Sequence, residues 1–221
     1  MPLRDHFHPP LQNNPNAESV TASWTTMLLQ RLNASALPAG YRAEQEVFGG
    51  PRVTIDLGTI EKPNAPPAVL AGEVSFTDAD LFEVKVRDED GRTAAAIKLV
   101  SRSNKDRPEA RRAFAIKCAS YLQAGLSVVL IDIVTNRRSG MHSELVYLLD
   151  MADSLHWSSR GGTAAVSYRI VGAPEGSRLE VWPEELVVGT PLPTVPLWLT
   201  PDLAIPLELE TTYEAAWACH R

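Results

Sequence analysis

Cysteine is almost absent, with Cys118 and Cys219 the only two in 221 residues. Two isolated thiols give neither a disulfide framework nor a metal knuckle. Long apolar runs are missing too. The longest, Ser127 to Val134, is far below the roughly 20 residues of a membrane helix and contains Asp132. The stretch Met1 to Pro10 carries charges and prolines but no apolar core, which argues against a secretory signal and sets the expectation of a cytoplasmic protein outside any membrane. Walker A, G-x-G-x-x-G and serine-nucleophile patterns are lacking. So is an excess of positive charge: a net charge of -6 and a pI near 5.4 exclude a chain that coats nucleic acid with its whole surface.

What is present is a globular composition, 44% hydrophobic and 22% charged, which suits one domain with appendages. Most of the 17 prolines gather in the first 15 residues, around 63–67 and over 183–206, and so mark arms and loops. Charge is unevenly spread. Between Arg92 and Lys117 there are eight basic residues against Asp106 and Glu109, so the rest of the chain is strongly acidic. Such an island suits an anionic ligand held at one place, and equally a solvated helix face.

Periodicity supplies the elements. Trp24, Met27, Leu28, Arg31 and Leu32 recur at helical spacing within Ser19 to Leu37, with Ser19 as a plausible cap and Pro38 to Gly40 as the stop. Tyr41 to Phe48 and Arg52 to Ile60 read as strands around Gly49-Gly50-Pro51, before a proline-rich loop over 62–68. Leu81 to Arg87 alternates, with Phe82, Val84 and Val86 on one face and Glu83, Lys85 and Arg87 on the other. Asp88 to Gly91 turns the chain into a strand over Thr93 to Val100, and Ser101 to Pro108 reads as a polar connection. A helix over Glu109 to Ala124 leads into Ser127 to Val134, a strand apolar enough to be covered on both faces, so the pair forms part of a βαβ unit. Beyond it lie a short helix over His142 to Met151, a hairpin over Thr163 to Val171 and Arg178 to Trp182, a strand or arm over Leu203 to Leu209, and a closing helix over Glu210 to Cys219.

The chain reads MPLRDHF at its start, TIDLGTIE around Asp56, then AAIKLVSRSNKDRP, RRAFAIKCASYLQAG and VVLIDIVTNRR. These stretches resemble the bacterial domain of unknown function 4058, which is similar in turn to restriction endonucleases of the PD-(D/E)XK nuclease superfamily. The resemblance runs over nearly the whole chain and is densest from Ala94 to Arg138. It implies an α/β fold: a mixed central sheet with flanking helices, a restriction-endonuclease-like core over 19–152, an N-terminal arm over 1–18, and a C-terminal β and Pro-rich extension over 153–221 of the same domain.

The resemblance further implies that acids on neighbouring strands hold Mg²⁺, which activates water against a phosphodiester. It places Asp56 at the first acidic position, with Glu44 on the preceding strand as a further metal-binding acid. Lys98 occupies the second position, where the related domains carry an acid. An ammonium there supplies the charge that a cation would otherwise bring, so the expected result is a catalytically impaired nuclease, or a non-catalytic module that binds nucleic acid or protein. Lys117, with Tyr121 and Gly125, matches a spacing in the related endonuclease-like domains and is a candidate charge stabiliser; a lysine snorkelling from a helix edge fits as well. Glu83-Val84-Lys85 is a literal E-x-K string that cross-strand charge pairing also explains. Asp132 requires a buried partner, with Lys98 and Lys117 as candidates, and a structural, hydrogen-bonded Asp near the strand end is the stronger reading. Arg102, Lys105, Arg107, Arg111, Arg112, Arg137 and Arg138 are the candidate contacts to DNA or another nucleic acid, with a solvated charged surface as the competing reading. His6 and His8 in the arm are too few for a metal site, and the His142-x-Glu144 string lacks its P-C-x-x-C companion.

Overall fold

The computed structural model describes residues 2–12, 16–45, 82–151, 153–173 and 176–220. Asp56, the expected strand over 52–60 and the loop over 62–68 lie outside them.

Helix α1 (Ala17–Arg31) starts one turn earlier than its apolar spacing suggests, because Asn16 rather than Ser19 caps it through a bond from the Glu18 N–H at 3.0 Å. It passes into a π-helical turn over Leu32–Ala36. There the Asn33 side chain bonds both the N–H and the C=O of Ala43, at 2.8 and 2.9 Å, and so pins the first strand to the helix.

Strands β1 (Arg42–Gln45), β2 (Glu83–Arg87) and β3 (Thr93–Leu99) form an antiparallel meander, and β2 turns into β3 at Gly91, whose φ of 77° suits glycine. Ser101 to Pro108 is not a plain connection. It holds a short helix α2 (Arg102–Asp106), closed by reciprocal bonds between Ser101 and Asn104, a capping device using asparagine. Helix α3 (Pro108–Gln123) then crosses over to β4 (Ser127–Asp132), which lies parallel to β3, as the βαβ reading requires. After α4 (Met141–Leu148), strands β5 (Ala164–Ala173) and β6 (Gly176–Glu185) join the sheet beside β4, in the order β1 to β6. The C-terminal hairpin therefore extends the central sheet.

Of the Pro-rich stretch, Thr194–Thr200 forms β7 where a loop or arm is expected, and Leu203–Glu208 forms β8, the strand alternative of the reading for Leu203 to Leu209. Pro196 stands opposite Pro206, so neither residue removes a donor that its partner needs. Helix α5 (Leu209–Ala218) closes the described chain.

The result is a mixed α/β fold, a central sheet flanked by helices. Helices α3 and α4 cover the face that carries Glu83, Lys98 and Leu130, where Tyr121 meets Glu83 and His142 meets Tyr168. Helix α1 and β7 cover the opposite face, with Ser127 bonded to the Trp198 carbonyl. Trp24 of α1 is fully buried, donates to Thr212 at 2.9 Å and packs edge-on against Tyr213, which ties α1 to α5. Truncating such an indole costs roughly 3–5 kcal/mol. Among the described residues no helix is long and apolar enough to cross a membrane.

Candidate functional site

Register decides the site. Glu83 opens β2 and stands directly opposite Lys98 near the end of β3. The sequence places Glu83 on a polar face, yet that face lies beneath α3, and both side chains are 1% exposed. Lys98 Nζ donates to Glu83 Oε2 at 2.7 Å. Lys117 reaches the same oxygen at 3.2 Å, and the Tyr121 hydroxyl donates to Oε1 at 2.6 Å. Lys117 and Tyr121 are one helical turn apart on α3, so a single stripe delivers both. Lys85 approaches Oε1 at 3.8 Å from the partly covered side.

Aromatic rings wall the cluster. Lys98 lies 5.0 Å from the centroid of Phe114 and 5.7 Å from that of Tyr121, and Lys117 lies 5.9 Å from the Tyr121 ring. Burial by itself would push the Glu83 carboxyl up; the charge and hydrogen bond of Lys98, with Tyr121 and Lys117, outweigh it and hold the group below the ordinary carboxylate range. Glu83 is therefore an anion with donors on both oxygens.

That donor set does not suit Mg²⁺, which needs several oxygen ligands in an octahedral shell. Glu44, the further acid, sits one strand away opposite Lys85, is 40% exposed, and pairs with Arg87 and Arg42 at 2.8 Å each. Among the described residues no three His, Cys, Asp or Glu side chains come together as a metal-holding group. Asp56 lies outside the described residues.

The candidate nucleic-acid contacts divide. Arg102, Arg107, Arg112 and Arg138 are exposed. Arg111 is tied to Glu144 at 2.9 Å, and Arg137 to Asp106 at 2.7 Å. Lys105 is not a surface cation: it is fully buried and donates to Asp132 Oδ2 at 2.8 Å, to the Gly162 carbonyl at 3.0 Å and to the Val134 carbonyl at 3.2 Å. Three acceptors match its three protons. The buried partner of Asp132 is thus Lys105, rather than Lys98 or Lys117. Burial pushes Asp132 up to about 6 despite Lys105.

The arm histidines are separate. His6 is buried with Nε2 2.6 Å from the Tyr213 hydroxyl, whereas His8 is exposed and bonded to Asp5 at 2.8 Å. His142 bonds Tyr168 and the Leu155 carbonyl, so both ring nitrogens serve packing.

Comparison of the chain with protein-family models, curated proteins and solved structures gave no match.

Proposed function

We propose that this chain is a nuclease-like domain whose hydrolytic centre is closed by Lys98, leaving a module that binds nucleic acid without cleaving it. The observation that carries the reading is the buried contact of 2.7 Å between Lys98 and Glu83. A carboxylate already neutralised by an ammonium has little to gain from a divalent cation, and the ammonium repels one. Support for the nuclease-like part comes from the family resemblance and from a mixed sheet that brings Glu83, Lys98 and Lys117 together from β2, β3 and α3. Support for binding comes from the exposed Arg102, Arg107, Arg112 and Arg138, which are available to phosphates in a way that Lys105 is not.

Calorimetric titration with Mn²⁺ tests the reading. The wild type takes up no Mn²⁺ at this cluster. Lys98→Glu, which sets two carboxylates against each other, gains a site that disappears again in Lys98→Glu with Glu83→Gln. Mn²⁺ binding by the wild type that is lost in Glu83→Gln would refute it.

A further inference from the structure

A cavity of about 150 Å³ lies beside the Lys98 cluster, on the same face of the sheet. Leu130 of β4, which forms part of its floor, is the register partner of Lys98. Ala164 of β5 continues the floor, because it pairs with Asp132, two residues beyond Leu130 and on the same face. Met141, at the start of α4, covers it. This is the crevice past the carboxyl ends of the parallel strands β3 and β4, the place where ligands settle in open sheets.

Its chemistry suits a flat ring joined to an anion. Trp157, half-buried and held edge-to-face against the His142 ring at 5.9 Å, lines one wall. His142 uses both ring nitrogens on Tyr168 and the Leu155 carbonyl, so it steadies the indole and keeps no polar atom for a ligand. Ser143 of α4, with Ser158 and Ser159 of the loop before β5, brings three hydroxyls, each able to donate or accept. Among the described residues of the lining, the exposed Arg138 is the one cation and Asp132 the one acid. The Asp132 oxygens already receive Lys105 at 2.8 Å and the Val134 N–H at 3.0 Å, so that charge is matched inside the protein. A guanidinium remains for a ligand. The start of α4, which has no side-chain cap, adds the positive end of a helix dipole.

Size narrows the class. An apolar cavity of roughly 150 Å³ accommodates benzene, so this one fits a single six-membered ring more closely than a fused purine. An aromatic wall for stacking, hydroxyls for the polar atoms of a ring edge and a guanidinium for a phosphodiester together describe one nucleotide of a strand. A duplex does not offer it, because its bases are stacked and paired, and drawing one out costs energy. Resting on the nucleic-acid-binding role, we infer that this cavity receives one pyrimidine base of a single strand against Trp157, with the adjoining phosphate on Arg138.

The test is fluorescence anisotropy of the full chain with equal-length single strands: oligo-dA, oligo-dA with one central thymine, and their RNA counterparts, oligo-A and oligo-A with one central uracil. One thymine or uracil is expected to tighten binding over the all-adenine strand about tenfold in at least one of the two backbones. A single replacement leaves the flexibility of the adenine strand nearly unchanged, so the gain reports the base itself. Ser143→Leu and Ser158→Leu alter exposed residues and put bulk into the cavity without disturbing the core. Each brings the pyrimidine-bearing strand back to the level of the all-adenine strand, and neither changes binding of that strand once it is annealed to its complement. Trp157→Leu acts in the same way. Arg112→Ala, outside the cavity lining, weakens all strands alike and keeps the preference. Equal binding of the all-adenine and pyrimidine-bearing strands in both backbones overturns the inference, as does a pyrimidine preference that survives in both cavity-filling variants, or an equal weakening of the duplex by them. Failure of every strand to bind would overturn the nucleic-acid-binding role itself, and this inference with it.

Discussion

Lys98 and Glu83 are direct partners across the β2–β3 pair, and their charges meet at 2.7 Å with almost no solvent access. Lys117 and Tyr121 complete the shell around the same carboxylate. Lys98 is thereby an integral part of the core, and its removal is felt as a loss of stability.

Lys98→Ala leaves the Glu83 carboxylate buried with one fewer cation. The expected cost is about 3 kcal/mol, read from urea unfolding, since breaking a buried pair from one side is more costly than replacing both members. Lys98→Met combined with Glu83→Gln recovers a large part of that loss. Equal destabilisation by Lys98→Ala in wild-type and Glu83→Gln backgrounds would show that the pair is not coupled.

Acid weakens the fold through Glu83 and His6. Glu83 titrates below its ordinary range in the folded chain, so its contribution is complete at neutral pH and disappears as the pH falls through and below that range. His6 is lowered to about 4 from 6.5, so between those values the unfolded chain takes up a proton that the folded chain refuses. The contribution of His6 therefore declines on acidification across that window, by up to about 2–3 kcal/mol, while Asp132, pushed up to about 6 by burial, moves in the opposite direction as the pH falls through the same range. Unfolding of wild type and His6→Gln from pH 7 to pH 4 measures it, and the variant's profile is expected to be flatter there.

Basic residues separate by burial. Arg107→Ala and Arg112→Ala are expected to leave the melting temperature within about one degree and to reduce the salt slope of DNA binding by roughly one each, measured by fluorescence anisotropy. Lys105→Met strips Asp132 of its cation and costs about 3–5 kcal/mol. A stable Lys105→Met protein with weakened DNA binding would contradict its structural placement.

Gly162 admits no side chain. Its φ is 75°, and a Cβ would stand 2.7 Å from the Arg138 carbonyl oxygen, a backbone atom that cannot swing aside. Gly162→Ala is expected to cost more than about 1 kcal/mol in thermal unfolding, and to loosen the loop that supplies a carbonyl to Lys105.

Much of the sheet was legible in the sequence because alternation and apolar runs report it directly. Phe82, Val84 and Val86 mark β2, and SVVLID marks a strand covered on both faces. The polar stripe of β2 was misread for the same reason: Glu83 and Lys85 alternate like solvent-facing residues, and only α3, through Lys117 and Tyr121, turns that face into an interior. The capped α2 is one turn long and too short for periodicity. Strand β7 and its pairing with β8 hid behind prolines, whose opposition across the pair is a tertiary fact. The partnership of Lys105 with Asp132 spans 27 residues, and composition alone assigned that lysine to a basic surface.

Cleavage of supercoiled plasmid and single-stranded DNA with Mg²⁺ or Mn²⁺, by wild type, Asp56→Ala and Lys98→Glu side by side, tests the central claim most directly. Closure of the site by Lys98 predicts a silent wild type and a silent Asp56→Ala, with metal-dependent cleavage gained in Lys98→Glu. Metal-dependent cleavage by the wild type that disappears in Asp56→Ala would contradict it.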